Sequence, residues 1–201
     1  MKVTDAPLPG VKIIKTDSFA DTRGFFFELY QAQRYLEAGI ERPFVQDNFS
    51  RSVQFTLRGL HFQEPHPQGK LVQVLQGAVF DVAVDIRRGS PSFGQCFGLE
   101  LSSENKWQLW IPPGFAHGFC VLSPSADFFY KCTEMYIPSA DRVIAWNDPA
   151  LGIRWPTNSP LLSKKDAAAP LLRDAPVLPS YSKRTTEGTV APASRGSGSR
   201  S

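Results

Sequence analysis

The run at 69–89, GKLVQVLQGAVFDVAVDIRRG, limits what this chain can fold into more than any other stretch. Phe80, Val82, Val84 and Ile86 alternate with Asp81, Ala83 and Asp85, the period-2 mark of a half-buried strand. Gly77 divides two such runs and predicts a hairpin between them. Before it, 11–19 reads as a strand ending near Asp21-Thr22-Arg23-Gly24, 25–30 as a second extended run, and 44–52 as a polar strand suited to lining a wet cavity. After it come β-rich runs at 95–101, 107–111, 117–122, 126–136 and 142–146, divided by turns such as Pro112-Pro113-Gly114 and Ser123-Pro124. Helix is predicted at 31–38, stopped by Gly39, and as a short piece at 163–169 capped by Ser163. Many short strands with little helix describe an all-β antiparallel sandwich or barrel.

The chain of 201 residues fits one domain, assigned to 1–182. Residues 183–201 are rich in Gly, Ser and Thr and read as a disordered tail. That tail holds Lys183, Arg184, Arg195 and Arg200 against Glu187, a net +3 that equals the charge of the whole chain. The domain is therefore formally neutral, which argues against a nucleic-acid footprint on a folded face. Three cysteines, Cys96, Cys120 and Cys132, show no CxxC spacing and fit free thiols in a reducing compartment. The first residues lack the apolar core of a leader, and no apolar run is long enough to span a membrane, so a cytoplasmic protein is expected.

Chemistry concentrates in TLRGLHFQEPHPQGKLVQVL at 56–75, which places Arg58, His61 and Lys70 on two strands joined by a Pro/Gly turn. A lone histidine is by default a satisfied core group. Beside an arginine and a lysine it fits a pocket that holds an anion and moves a proton. On a regular strand Arg58 would face away from His61 and Gln63, so Gly59 must supply a bulge for all to share one site. His117 lies in IPPGFAHGF, a PxGxxH pattern that resembles the second motif of the cupin superfamily. The companion HxH motif is here His61-Phe62-Gln63, one metal ligand short, and His66 sits between Pro65 and Pro67 in a turn that looks solvent-facing. A metal centre is not expected on that donor set.

Nine motifs in fixed order, DTRGFFFE, QDNFSRS, LRGLHFQ, QGKLVQVLQG, VFDVAVDIRRGSPSFG, LWIPPGFAHGFCVLS, YKCTEMYIP, IAWNDPALGIRWP and LSKKDAAAP, resemble the dTDP-4-dehydrorhamnose 3,5-epimerase family over about 11–172. The resemblance implies a cupin-type jelly-roll β-sandwich with a few short peripheral helices, no metal or organic cofactor, and a homodimer that swaps N-terminal strands. It implies a dTDP-linked 4-keto-6-deoxyhexose substrate, with His61 as base, Asp166 orienting it, Lys70 at the C4 oxyanion and Tyr130 as the acid on the opposite face. Arg23, Glu28, Gln46, Asp47, Asn48, Arg58, His117, Asp141 and Lys165 match substrate-binding positions, and Tyr136 the aromatic that stacks on thymine. Arg23 and Glu28 are expected to complete the partner's site. Two departures stand out: Phe55-Thr56 where many members have Gly-Val, and Asp141 where Glu is commoner. The alternatives are a mono-epimerase or 3,4-ketoisomerase on a related sugar, a non-catalytic nucleotide-sugar binder, and a metal-dependent cupin oxygenase.

Overall fold

The computed structural model describes residues 1–182; the tail assigned to 183–201 lies outside the described residues. Thirteen strands occupy this part: β1 (Lys2–Asp5), β2 (Lys12–Lys15), β3 (Ser18–Asp21), β4 (Gly24–Phe27), β5 (Gln46–Val53), β6 (Leu57–Gln63), β7 (Lys70–Gln76), β8 (Ala78–Asp85), β9 (Cys96–Ser102), β10 (Trp107–Ile111), β11 (Phe115–Val121), β12 (Ser125–Cys132) and β13 (Asp141–Val143). Two short helices, α1 (Ala32–Glu37) and α2 (Lys164–Ala167), lie outside the sheets. The strands form a six-stranded sheet, β1-β2-β10-β7-β12-β5, a five-stranded sheet, β13-β6-β11-β8-β9, and a separate hairpin, β3-β4. All named pairings are antiparallel. The jelly-roll sandwich expected from the sequence is the fold.

Its core fills the space between the two sheets. Val72, Val74, Leu109, Ile111, Ala126 and Phe128 from one sheet meet Val79, Ala83, Leu101, Phe115, Phe119 and Val121 from the other. The outer face of the five-stranded sheet is covered as well: Leu60, Phe62, Val82, Val84, Ile86 and Ala116 pack under Ile144, Leu151 and Leu172 of the C-terminal wrap. On the outer face of the six-stranded sheet, α1 lays Tyr35 against Ile14, Leu71 and Trp110. Gln31 caps that helix by accepting the Arg34 N–H at 2.7 Å, and Gly39, at φ +83°, ends it in the left-handed conformation.

Two expectations are corrected here. The strand at 78–85 is not half-buried: Val82 and Val84 face the wrap while Val79, Asp81, Ala83 and Asp85 face inward, and both aspartates are fully buried. Alternation marks two faces without saying that one of them is wet. Nor does Gly77 close a hairpin, because β7 and β8 belong to different sheets. Gly77, at φ +78°, is the corner where the chain passes between them, and a Cβ there would sit 2.2 Å from the Ser125 carbonyl oxygen.

Asp85 shows how a buried carboxylate is tolerated. Arg87 grips it through Nε at 2.8 Å and a second guanidinium nitrogen at 2.7 Å, and the hydroxyls of Ser90 and Ser92 donate at 2.5 and 2.7 Å. Burial alone would raise its pKa, but these bonds outweigh burial and hold it at about 2. That lies below the unfolded value of roughly 3.9, so its contribution is complete above the unfolded value and lost as pH falls through about 2. Asp85→Ala leaves Arg87 without its partner and should cost about 3–5 kcal/mol of stability in urea unfolding at neutral pH.

Candidate active site

Beside the apolar cluster between the sheets stand polar and charged side chains. On β6 the backbone swings at Gly59. Against β11, His61 pairs with His117 and Arg58 with Phe119, so β6 carries one extra residue between the two pairs. This is the bulge that Arg58 requires, and it puts Arg58 and His61 on the same inward face. Gly59 adopts φ +143°, and a Cβ there would come within 2.5 Å of the Gly118 Cα. Only glycine permits that approach.

His61 is one third exposed and its Nε2 lies 2.6 Å from Oδ1 of Asp166, which is 3% exposed. Asp166 is placed by α2: Ser163 caps the helix by accepting the Asp166 N–H at 3.1 Å. Burial would push the Asp166 carboxyl up, but hydrogen bonds and charge from His61, with help from Ser163 and Lys165, hold it below the usual carboxylate range. The neighbouring strand offers a second pair, His117 Nε2 to Asp81 Oδ2 at 2.9 Å, with Asp81 fully buried. The His117 ring stacks on Phe128, centroids 6.0 Å apart.

The opposite sheet supplies Lys70 and Tyr130. Both point inward with Val72 and Phe128 of their own strands. Burial pulls the Lys70 pKa down, opposed by Cys132, Asp141 and Asp81. Burial pushes the Tyr130 phenol up to about 12, with Cys132 adding and Arg58 opposing. Arg58 reaches across the gap and donates from Nε to Ser52 Oγ at 3.0 Å. On β5, Gln46 donates to Asn48 Oδ1 at 2.8 Å and accepts the Tyr136 N–H at 2.8 Å, and Asn48 reaches Cys132 Sγ at 3.6 Å. At the rim the Tyr136 hydroxyl donates to Asp141 Oδ2 at 3.1 Å, and Lys165 pairs with the same oxygen.

Three expected site residues stand elsewhere in this chain. Asp47 falls on the outer face of β5 by simple alternation and binds Lys131 at 2.7 and 2.8 Å, so its carboxylate does not join the cavity. Arg23, at the tip of the β3-β4 hairpin, pairs with Asp21 and is 88% exposed. Glu28 pairs with Arg34 on α1. The departure at Phe55 lies in the β5-β6 turn at φ +61°, a conformation glycine takes freely, with backbone bonds to Val121 and Leu161. His66 is exposed in its turn, and among the described residues no group of three or more His, Cys, Asp or Glu side chains is placed to hold a metal ion. Among them, too, no helix is long and apolar enough to cross a membrane. Sequence reasoning missed Asp81 and Cys132; Gln63, expected on the His61 face, holds the rim through the His66 and Met135 carbonyls and the Ile137 N–H.

Residues 5–174 match the family model of dTDP-4-dehydrorhamnose 3,5-epimerase. The chain is 53% identical over 181 residues to the dTDP-4-dehydrorhamnose 3,5-epimerase of Pseudomonas aeruginosa, covering 89% of this chain and 100% of that protein. It is also 53% identical over 169 residues to the Neisseria gonorrhoeae protein of that name, covering 84% of this chain but only 52% of that relative's length. A dTDP-6-deoxy-D-glucose-3,5-epimerase from Legionella pneumophila, solved in complex with dTDP-4-keto-L-rhamnose, superposes with a TM-score of 0.88 at 55% identity, covering 90% and 99% of the two chains. The dTDP-4-dehydrorhamnose 3-epimerase of Streptomyces niveus is more distant, at 39% over 204 residues and 98% of each chain.

Proposed function

The chain belongs to the dTDP-4-dehydrorhamnose 3,5-epimerase family and is an isomerase of dTDP-L-rhamnose biosynthesis; within that activity we propose that His61 is the base, Lys70 the oxyanion holder and Tyr130 the acid. The observation that supports this reading is the placement of His61, paired with Asp166 of α2, on the inward side of one sheet and of Tyr130 with Lys70 on the inward side of the other.

The hydrogens at C3 and C5 of a 4-keto sugar are acidic because either carbanion delocalises onto the C4 oxygen. The substrate is dTDP-4-dehydro-6-deoxy-D-glucose. Asp166 engages His61 Nε2, which leaves Nδ1 to take the proton, and the buried carboxylate orients the ring and balances the imidazolium that forms. Lys70 meets the negative charge as it develops on the C4 oxygen. Tyr130, kept protonated by burial, delivers a proton to the other face and so inverts the carbon. Repeating the cycle at the second carbon, after both groups exchange protons with solvent, gives dTDP-4-dehydro-L-rhamnose. Arg58 and Lys165 suit the diphosphate, Tyr136 the thymine face, and Gln46, Asn48 and His117 the sugar. The three free cysteines support a reducing, cytosolic setting.

The working unit in this proposal is a homodimer. The β3-β4 hairpin exposes Phe19, Phe25 and Phe26 at 60–70%, and the six-stranded sheet exposes Phe49, Val53 and Leu75. Apolar surface of this kind marks an interface, and a hairpin donated to the partner brings Arg23 and Glu28 to its site. Co-expressing Arg23→Ala with His61→Ala tests this, because a mixed dimer holds one site with both residues intact. Recovery of about a quarter of wild-type activity is expected from random pairing of two-site dimers; activity no higher than the sum of the two variants would overturn the donation.

A further inference from the structure

We infer that Asp81 is the positioning residue that sets the charge of this site: its carboxylate holds the His117 ring, and its negative charge, acting through space, keeps the Lys70 ammonium charged for the C4 oxygen. The inference rests on the role given to Lys70 above.

Asp81 stands mid-way along β8, on the inward face with Val79 and Ala83, and is fully buried. A carboxylate withdrawn from water needs partners for both oxygens. Oδ2 has one, the His117 ring. Oδ1 is buried and, among the described residues, accepts no hydrogen bond. On the opposite sheet the Lys70 ammonium likewise has no hydrogen bond or ion pair among the described residues. The two groups stand on the inward faces of opposing sheets, and Asp81 is among the charges that act on Lys70.

The groups acting on Lys70 come from four elements: Cys132 on β12, Asp141 on β13, Asp81 on β8 and Lys165 on α2. Lys165, a cation, works against the ammonium. Cys132 is its cross-strand neighbour, but burial pushes that thiol up and leaves it neutral at neutral pH. Asp141 is committed to Lys165 and the Tyr136 hydroxyl. Asp81 is the remaining full negative charge, and it has an oxygen to spare. One carboxylate therefore fixes the His117 ring and holds the charge that the enolate oxygen needs.

The test is the pH dependence of kcat in Asp81→Asn, which keeps the shape and removes the charge. Lys70 then loses its proton more easily, and the alkaline fall in kcat should move down by about one pH unit or more. Adding Lys70→Arg should abolish the alkaline fall, because a guanidinium stays charged, and Asp81→Glu should return it toward the wild-type position. A wild-type alkaline limb in folded Asp81→Asn that still binds dTDP overturns the inference. Should that variant not fold, lysine ε-carbon NMR of the wild-type protein decides, with the Lys70 signal identified by its loss in Lys70→Arg. A charged Lys70 through about pH 8.5 is expected, and a neutral one at that pH overturns the inference. Lys70→Ala separates the two levels. If it leaves proton exchange at C3 and C5 fast, the role of Lys70 itself is wrong. If it slows exchange while Asp81→Asn keeps the wild-type limb, only the role of Asp81 is.

Discussion

His61→Ala should slow exchange of the C3 and C5 hydrogens with solvent by about 10²- to 10⁴-fold, the range for removing a positioned base, while dTDP still binds. No other described group is placed to replace it. The His117 ring is buried and its Nε2 is tied to Asp81, and Lys70 is required as a cation. Binding should survive because the groups assigned to the nucleotide, Arg58, Tyr136 and Lys165, do not bond to the imidazole. Proton NMR in D₂O measures exchange and calorimetry measures binding. Exchange at a rate near wild type would remove His61 from its role.

Tyr130→Phe separates two events that His61→Ala abolishes together. Without the phenol, His61 can still withdraw a proton, exchange it with solvent and return it to the same face. Washout of substrate hydrogen should therefore persist at a tenth or more of its normal rate, while net inversion falls by about 10²-fold or more. The phenylalanine ring keeps the contact with Phe128, whose centroid lies 6.0 Å from that of Tyr130, so the loss is one of chemistry rather than packing. Equal losses of exchange and inversion would mean that Tyr130 acts before the enolate is partitioned. The raised phenol, about 12, also means that deprotonation of Tyr130 does not set the alkaline limb of the wild-type profile; Lys70, shifted downward, titrates first.

Much of this architecture was legible in the chain because strands and turns are local. The β10 strand, the Ser163 cap and the Gly39 stop follow from residue type and spacing. The need for a bulge at Gly59 followed from counting faces, and the bulge is there. What local pattern could not supply was which sheet a strand joins. A glycine between two β runs reads alike at a hairpin and at a corner, which is why Gly77 was expected to close one. The same blindness hid Asp81 and Asp85, whose alternation with valines suggested a wet face although both faces are covered. Asp47 was grouped with Gln46 and Asn48 by its match to a family substrate-binding position; period-2 geometry separates it from them. Arg23 and Glu28 are a different matter, since the site they are proposed to complete belongs to a second copy of the chain.

The central claim, base-and-acid inversion at two carbons through a shared enolate, is tested most directly with EDTA-treated wild-type protein and dTDP-4-dehydro-6-deoxy-D-glucose in D₂O, followed by mass spectrometry and proton NMR of the sugar. The account predicts full activity, one deuterium at each of C3 and C5, and coupling constants of the L-rhamno configuration. Deuterium at a single carbon, or loss of turnover on chelation, would contradict it.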